Sequence, residues 1–381
     1  MKIGFVLDDT LDSFDGVQQY ILTLGKWMSA NGHEVHYLVG ETSRKDIGNI
    51  HSLAKNLKVN FNKNVLSIPL KADKKKIKHL LTKEKFDVIH VQLPFSPFMA
   101  GVIIDNLPES TALVGTFHIL PYSKYQYYGA KALSKVTKNQ YRKFNKILSV
   151  SPPAKEFAKT AMNIDSDVIP NAVDFGNFKT GKKIKRFNDE KTNLVFLGRL
   201  VKRKGCMELL EAYKYLVDTN KFENTRLIIA GAGPEQNKLR AYVSKNYLQN
   251  CVEFLGRVTE AEKVNLFATA DVVVLPSLSG ESFGIVVVEA IATGAGLVVA
   301  GSNPGYSYVL QSTPEVLVNP KDTDLFAELI AKSIEDKNFG KKIHKVQQAS
   351  IKQFDVNVVG RDVVKVYKSV IANSSSKSDN G

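Results

Sequence analysis

Residues 271–294 read DVVVLPSLSGESFGIVVVEAIATG. The apolar, β-branched run at 272–275 stops at Pro276, a polar loop holding Gly280 and Gly284 follows, and an apolar stretch then continues to Gly294. The order is strand, tight loop, helix, with the helix expected to open near Phe283. Glu281 falls in the loop at the strand's carboxyl end and Glu289 about two turns into the helix, too far apart to share a proton. Between them Ser282, Phe283, Gly284 and Ile285 place unpaired backbone N–H groups at a helix N-terminus, where the macrodipole favours an anion such as phosphate. Taken alone, Glu281 reads equally well as a helix cap and Glu289 as a solvated surface residue.

Outward from this segment, short apolar runs recur at 3–7, 35–39, 88–93, 113–117, 147–150, 194–197, 227–230, 252–255 and 297–300, separated by helical patterns. Strands alternating with helices imply an α/β fold with parallel sheets. The clearest helix carries Val17, Tyr20, Ile21, Leu24, Trp27 and Met28 at helical spacing, with Gly32 where a C-terminal cap belongs. Residues 171–193 are polar and aperiodic, which divides the chain into two similar units. The expected organisation is a domain at 1–175, a linker at 176–190, a domain at 191–355, a helix at 356–372 returning toward the first domain, and a disordered polar tail at 373–381. Sheets of this kind bind ligands beyond the carboxyl ends of their strands.

One such end is FLGRLVKRKG, residues 196–205. Arg199 follows the strand, and Arg203, Lys204 and Gly205 open the next helix. A planar guanidinium fork and a mobile ammonium together suit a departing diphosphate, although a solvated basic loop is the commoner use of such a run.

With 381 residues, 44% apolar and 24% charged, the chain is long enough for two packed cores and far from the composition of a disordered chain. Lys and Arg number 52 against 38 Asp and Glu, a formal charge of +14, which favours a polyanionic or anionic-surface partner. Cys206 and Cys251 stand alone, without zinc or disulfide spacing, so a reducing interior is expected. The opening MKIGFVLDDT is unlike a secretory signal, and no stretch reaches the length of a spanning helix, so any membrane contact is expected to be peripheral.

The positive charge is segregated. No acidic residue occurs from Ser110 to Lys155, where Lys131, Lys135, Lys138, Arg142 and Lys146 recur every three or four residues, as along one helix face. Tyr122, Tyr125, Tyr127 and Tyr128 precede them, rings suited to a water–lipid boundary. Lys74, Lys75, Lys76 and Lys78 open a second helix whose apolar positions are Ile77, Leu80 and Leu81. Basic amphipathic helices dock on anionic membranes, and no nucleic-acid motif or stacking platform accompanies these charges, so nucleic acid is not expected as a partner.

Taken together these segments resemble the family 4 retaining glycosyltransferases of the GT-B architecture, two Rossmann-like domains facing across a cleft. The resemblance rests on Gly16-Val17, Gly32-His33-Glu34-Val35, Phe117-His118, Ile169-Pro170-Asn171-Ala172-Val173-Asp174, Gly198-Arg199 with Lys204-Gly205, Gly231-Ala232-Gly233-Pro234, Phe254-Leu255-Gly256, and Glu281 to Glu289. Within the family the likeness is greatest to the phosphatidylinositol mannosyltransferases, through Gly16-Val17-Gln18, Thr116-Phe117-His118 and residues 280–286. It implies that Glu281 holds hydroxyls of a donor sugar, Glu289 the nucleoside ribose, and Arg199 with Lys204 the diphosphate. Gly16 and residues 282–285 would line the donor site, Val258 and Lys263 its base. His118 would position sugar or acceptor, and Gln18 an inositol ring. Lys131, Lys135 and Arg142, with the Lys74–Lys78 cluster, would meet the acceptor or the membrane.

The resemblance thus implies transfer of a hexose, mannose or glucose, from a nucleotide diphosphate sugar such as GDP-mannose to a lipid acceptor, with phosphatidylinositol the lipid it suggests, at the cytoplasmic membrane face. The sequence leaves the donor base open between guanosine and uridine. A soluble sugar-phosphate or polysaccharide acceptor is the alternative, and a non-catalytic nucleotide-sugar or nucleic-acid binding protein the alternative of another class. Asp15 stands where the family usually has a glycine, and Gly294-Ala295-Gly296 replaces its usual Gly-x-Pro. GAGPEQ at 231–236 lacks the third glycine of a dinucleotide fingerprint. Asp165 and Asp167, or Asp322 and Asp324, mimic metal pairs, but the second pair precedes a helix and reads better as a cap. No metal or cofactor is expected.

Overall fold

In a computed structural model, which describes residues 1–12, 15–61, 64–219 and 222–378, the chain forms two compact units. Unit 1 comprises Met1–Ala172 with Val356–Gly381, and unit 2 comprises Val173–Asp355. Each is built on a parallel sheet, the two-Rossmann α/β class.

Unit 1 contains β1 (Lys2–Leu7), β2 (Glu34–Val39), β3 (Ile50–Ser52), β6 (Val88–Leu93), β7 (Ala112–Phe117), β8 (Lys146–Ser149) and β9 (Asp167–Val168), ordered β3-β2-β1-β6-β7-β8-β9. β4 (Ala54–Phe61) and β5 (Asn64–Ala72) form a separate antiparallel ribbon. Every residue of β6, VIHVQL, is buried, as expected of a central parallel strand covered on both faces. Its polar members are satisfied inside: His90 Nδ1 lies 2.6 Å from the Tyr367 hydroxyl and Nε2 2.7 Å from Thr116 Oγ1, while burial brings its pKa down to about 3.

Tyr367 belongs to the helix Val356–Ser378, whose Val359, Val363 and Val370 complete the core under the helix Gly16–Ala30. Gly360 is required there, because a Cβ would stand 2.5 Å from the Trp27 ring, and Trp27 Nε1 donates to Asn357 Oδ1. This helix continues to Ser378, so residues 373–378 are helical rather than the disordered tail expected from composition; residues 379–381 lie outside the described residues.

Unit 2 contains β10 (Thr192–Leu197), β11 (Thr225–Ala230), β12 (Val252–Gly256), β13 (Val272–Leu275), β14 (Leu297–Gly301) and β15 (Leu317–Val318), ordered β12-β11-β10-β13-β14-β15. Chain order reverses between β10 and β13, where open sheets of this type take their ligands. Residues 176–190, expected as a linker, instead belong to unit 2. They carry the end of the helix Phe175–Phe178 and a 3-10 turn at Lys185–Phe187, with Phe178 and Phe187 buried and the Asn193 side chain donating to Phe187 O. The polar surface of the segment concealed these two anchors. At the unit's border Val173 N donates to Phe354 O, and Val173 bridges Asp355, so the incoming and outgoing chains lie side by side.

The basic run 131–146 does not make one helix face. The helix Lys124–Val136 stops at Thr137, a four-residue helix Lys138–Tyr141 follows, and Lys146 opens β8. The Thr137 hydroxyl bonds back to Leu133 O, closing the first helix. The helix Lys74–Glu84 does bury Ile77, Leu80 and Leu81, with Asp73 as its cap. Asp322 likewise caps Thr323–Glu335 by accepting from Leu325 N, and Asp165 and Asp167 stand near Lys159 and Lys146.

Candidate functional site

Two loops at the carboxyl ends of β10 and β13 are locked together. Gly205 sits in the left-handed region at φ +71°, and a Cβ there would be 1.9 Å from Pro276 O. Leu278 N donates to Arg203 O, and the Asn303 side chain caps Tyr306 N while donating to Ser277 O. Gly284, at φ +103° against the Tyr306 ring, ends the loop, so the helix is Ile285–Ala292. It begins two residues later than expected, and Glu289 lies one turn into it rather than two. Gly284 offers no side-chain cap, which leaves the first amides of the helix without that partner. The Phe283 ring is turned into the core against Tyr308 and Phe354, so this residue offers only its backbone to a ligand.

The clamped loops converge on one carboxylate oxygen. Glu281 Oε1 accepts from Arg203 Nη1 at 2.7 Å, Lys204 Nζ at 2.9 Å and Ser277 Oγ at 2.7 Å; none of these three donors is on Oε2. Burial by itself would raise this carboxyl, but the charges of Lys204 and Arg203 and the hydrogen bonds from Lys204 and Ser277 prevail and hold its pKa at about 2. Burial lowers Lys204, assisted by the neighbouring Arg203 and Arg199 and opposed by Glu281. Arg199 is exposed in the loop after β10. Lys204 therefore points inward together with Arg203, and the run KRKG does not itself say which of its cations turns in; Ser277, in the loop after β13, was not singled out from sequence.

Glu289, on the next turn, is buried and accepts from Lys263 Nζ at 2.7 Å. Lys263 projects from the helix Glu260–Thr269, which begins with a Thr259/Glu262 capping box; it also pairs with Glu260 at 2.7 Å and lies over the Phe178 ring. Burial acts to lower Lys263, but Glu289 and Glu260 more than compensate, so it remains a cation. Burial raises Glu289 against the pull of Lys263. Lys263 was expected to meet a base; its ammonium is instead committed to two carboxylates. Val258 is half-buried in the turn before this helix.

In unit 1, Gly16 opens the helix Gly16–Ala30 with Asp15 as an N-cap that makes no side-chain bond. Gln18 is buried, its amide nitrogen 3.4 Å from Asp9 Oδ2 and 3.2 Å from Thr10 O, with Oε1 unpartnered among the described residues. His118 follows β7, its Nε2 2.8 Å from Gln92 Oε1 and its ring edge-on to Tyr20. The Gln92 amide nitrogen donates to His90 O, so its oxygen must accept, which assigns the proton to His118 Nε2 and leaves Nδ1 a lone pair. Burial lowers the His118 pKa to about 3, keeping the ring neutral.

Asp8 and Asp9, also at this strand end, were not singled out from sequence. Asp8 accepts from Ser96 N and Ala100 N. Burial raises both carboxyls to about 6. With folded values above the ordinary 3.8, their contribution to stability is complete below that pH and is lost as pH rises through about 6. His90 and His118, held far below the ordinary 6.5, act in the opposite direction over the same interval, so the carboxylate share is read as a difference: Asp9→Asn should shift the Tm difference between pH 5 and pH 7 toward higher stability at pH 7. An unchanged difference in the variant would remove Asp9 from the account. Glu281 acts oppositely: its contribution is present above 4.5 and disappears as pH falls through about 2.

Lys74, Lys75, Lys76 and Lys78 are exposed, Lys76 reaching Ser52 O, and Lys131, Lys135 and Arg142 are exposed as well. Among the described residues no helix is long and apolar enough to cross a membrane.

Two family models match the chain: Glycosyltransferase Family 4 over residues 14–176 and Glycosyl transferases group 1 over residues 177–353. A phosphatidyl-myo-inositol mannosyltransferase of Mycolicibacterium smegmatis is 28% identical over 375 residues, covering 97% of this chain and 94% of its own. Among solved structures, sucrose-phosphate synthase from Thermosynechococcus elongatus superposes with a TM-score of 0.76 at 19% identity, covering 98% of this chain and 99% of its own. HepE of Anabaena, in complex with UDP and glucose, gives 0.74 at 19% identity, covering 97% and 100%.

Proposed function

The chain belongs to the glycosyltransferases, a Family 4 half followed by a group 1 half, and from that premise we propose a retaining, metal-independent hexosyltransferase. It moves mannose or glucose from a nucleoside diphosphate sugar, GDP-mannose being the leading donor, to a lipid acceptor such as phosphatidylinositol at the cytoplasmic membrane face. The observation that carries the reading is the Glu281 carboxylate, fixed through Oε1 by three donors. Its Oε2 is thereby oriented to accept from sugar hydroxyls, while Glu289, held by Lys263, accepts from ribose.

As the glycosidic bond breaks, negative charge grows on the β-phosphate. Arg199, Lys204 and the uncapped amides around Gly284 meet it, electrostatic stabilisation of this kind being commonly the largest contribution to catalysis. Lys204 swings between Glu281 and the phosphate on its flexible stem. The two carboxylates are already paired with ammonium or guanidinium groups, which makes them poor ligands for a divalent cation and leaves the diphosphate charge to Arg199, Lys204 and the helix amides. In unit 1, neutral His118 accepts a hydroxyl proton bond at Nδ1, and Gln18 Oε1 with Asp9 offers further acceptors for a polyol. The mycobacterial relative's name supports inositol as that polyol.

The deciding assay supplies GDP-mannose or a UDP-hexose with phosphatidylinositol vesicles and measures nucleoside diphosphate release and glycolipid formation. GDP or UDP should raise Tm by preferential binding to the native state. No shift with either, and no release, would refute transfer. Membrane docking has its own check. Lys74→Ser with Lys75→Ser removes two cations worth ~1 kcal/mol each near an anionic surface, about 30-fold in binding to phosphatidylglycerol vesicles at low salt. Equal binding by variant and parent would discard the helix Lys74–Glu84 as the docking element.

A further inference from the structure

A second basic site lies at the other end of the unit 1 sheet. The helices Lys124–Val136 and Pro152–Met162 each follow a parallel strand and run back along it, so their carboxyl-terminal halves reach the amino ends of β8 and β9. There they enclose a groove of about 670 Å³, floored by the segments leading into these two strands. His118 follows the carboxyl end of β7, and Gly16 and Gln18 open the helix that follows β1. Register confirms the separation, since Lys146 is level with Val114, three residues or roughly 10 Å below Phe117.

Lys131, Lys135, Lys138, Arg142 and Lys146 line this groove against only two carboxylates, Asp165 and Asp167. Asp167 is taken by Lys146, and Asp165 stands 4.0 Å from Lys159. Lys131, Lys135, Lys138 and Arg142 pair with no carboxylate among the described residues, so four uncompensated cations converge on one concavity. All four are solvent-exposed, and their summed field draws an anion into the concavity. The end of the helix Lys124–Val136 tolerates cations through its dipole, but the dipole does not account for Arg142 or Lys138 beyond it.

We infer that this groove is a binding site for the phosphate group of an anionic ligand, so that Lys131, Lys135 and Arg142 meet that phosphate at the amino end of the sheet and not a sugar acceptor beside His118. The guanidinium of Arg142 supplies the planar fork and the lysines the surrounding charge. The same helix exposes Tyr125, Tyr128 and Val136, an apolar edge beside the cations that suits a phosphate carried on a lipid. The proposal rests on the anionic-surface part of the functional reading, not on sugar transfer.

Amide hydrogen exchange of the full chain tests it, with dihexanoyl phosphatidylglycerol below its micelle concentration, glycerol 1-phosphate and inorganic phosphate as separate probes. Peptides spanning 138–146 and 160–167 should be protected, and Lys138→Gln with Arg142→Gln should weaken binding at least tenfold while the far-ultraviolet spectrum is unchanged. Protection by the lipid alone assigns a headgroup site, and equal protection by glycerol 1-phosphate assigns a soluble phosphate ester. Protection by none of the probes, or equal protection of the double variant, overturns the site. Transfer assayed in parallel keeps the two proposals apart, because sugar transfer at the Glu281 site requires nothing from this groove.

Discussion

Glu281→Gln is expected to cut kcat/KM for sugar transfer by about 10²–10³-fold, the scale seen when a preorganised electrostatic contact to a transition state is removed. The substitution keeps side-chain length and one acceptor oxygen. It removes the charge that Arg203 and Lys204 share, at 2.7 and 2.9 Å, and with it the force that fixes the free oxygen toward the sugar. Because the native carboxyl is held at about 2, protonation cannot mimic the substitution anywhere in the working pH range, so parent activity should show no acid limb from this group above pH 4. The loop should persist, since Gly205 against Pro276 and Asn303 on Ser277 O do not depend on the charge. Turnover within threefold of the parent, with a normal circular dichroism spectrum, would eliminate Glu281 from the mechanism.

Lys263→Met carries the largest expected loss of stability. It leaves Glu289, 6% exposed, without its cation and leaves Glu260 unpaired at the rim. Stripping one partner from a buried ion pair costs about 3–5 kcal/mol. At 2–4 °C per kcal/mol for a unit of this size, the Tm of the unit 2 transition should fall by roughly 6–20 °C. Lys263→Met combined with Glu289→Leu should recover much of the loss while leaving nucleotide affinity impaired. A single variant as stable as the parent would mean that Glu289 is already neutral and that Lys263 does not position it.

The strands of the two large sheets were legible because apolar runs of four to six residues bounded by loops have few other uses. β1, β2, β6, β7, β8, β10, β11, β12, β13 and β14 all fall on such runs. β3, β9 and β15 are two or three residues long, too short for a periodic signal, while β4 mixes lysine and asparagine among its apolar residues and β5 is interrupted by Pro69. Glu281, Lys204 and the helix amides stood out because a strand–loop–helix at a sheet's carboxyl end has a known electrostatic character. What each cation touches was not legible. Lys263 carries a charge in any reading, and only the packing of Glu260–Thr269 beside Ile285–Ala292 shows that it serves Glu289. Asp8 and Asp9 were hidden for a similar reason: a carboxyl's burial depends on the residues around 96–100, far away in sequence.

The placement of Val356–Ser378 in unit 1 has a bearing on biosynthesis. A ribosome delivers the partner of His90 and the cover for Trp27 only after every residue of unit 2 has emerged, so unit 2 can complete its sheet while unit 1 waits with an open hydrophobic flank. Nascent chains stalled before Val356 would therefore expose that flank to chaperones, and a premature stop there would damage the half of the molecule that was made first.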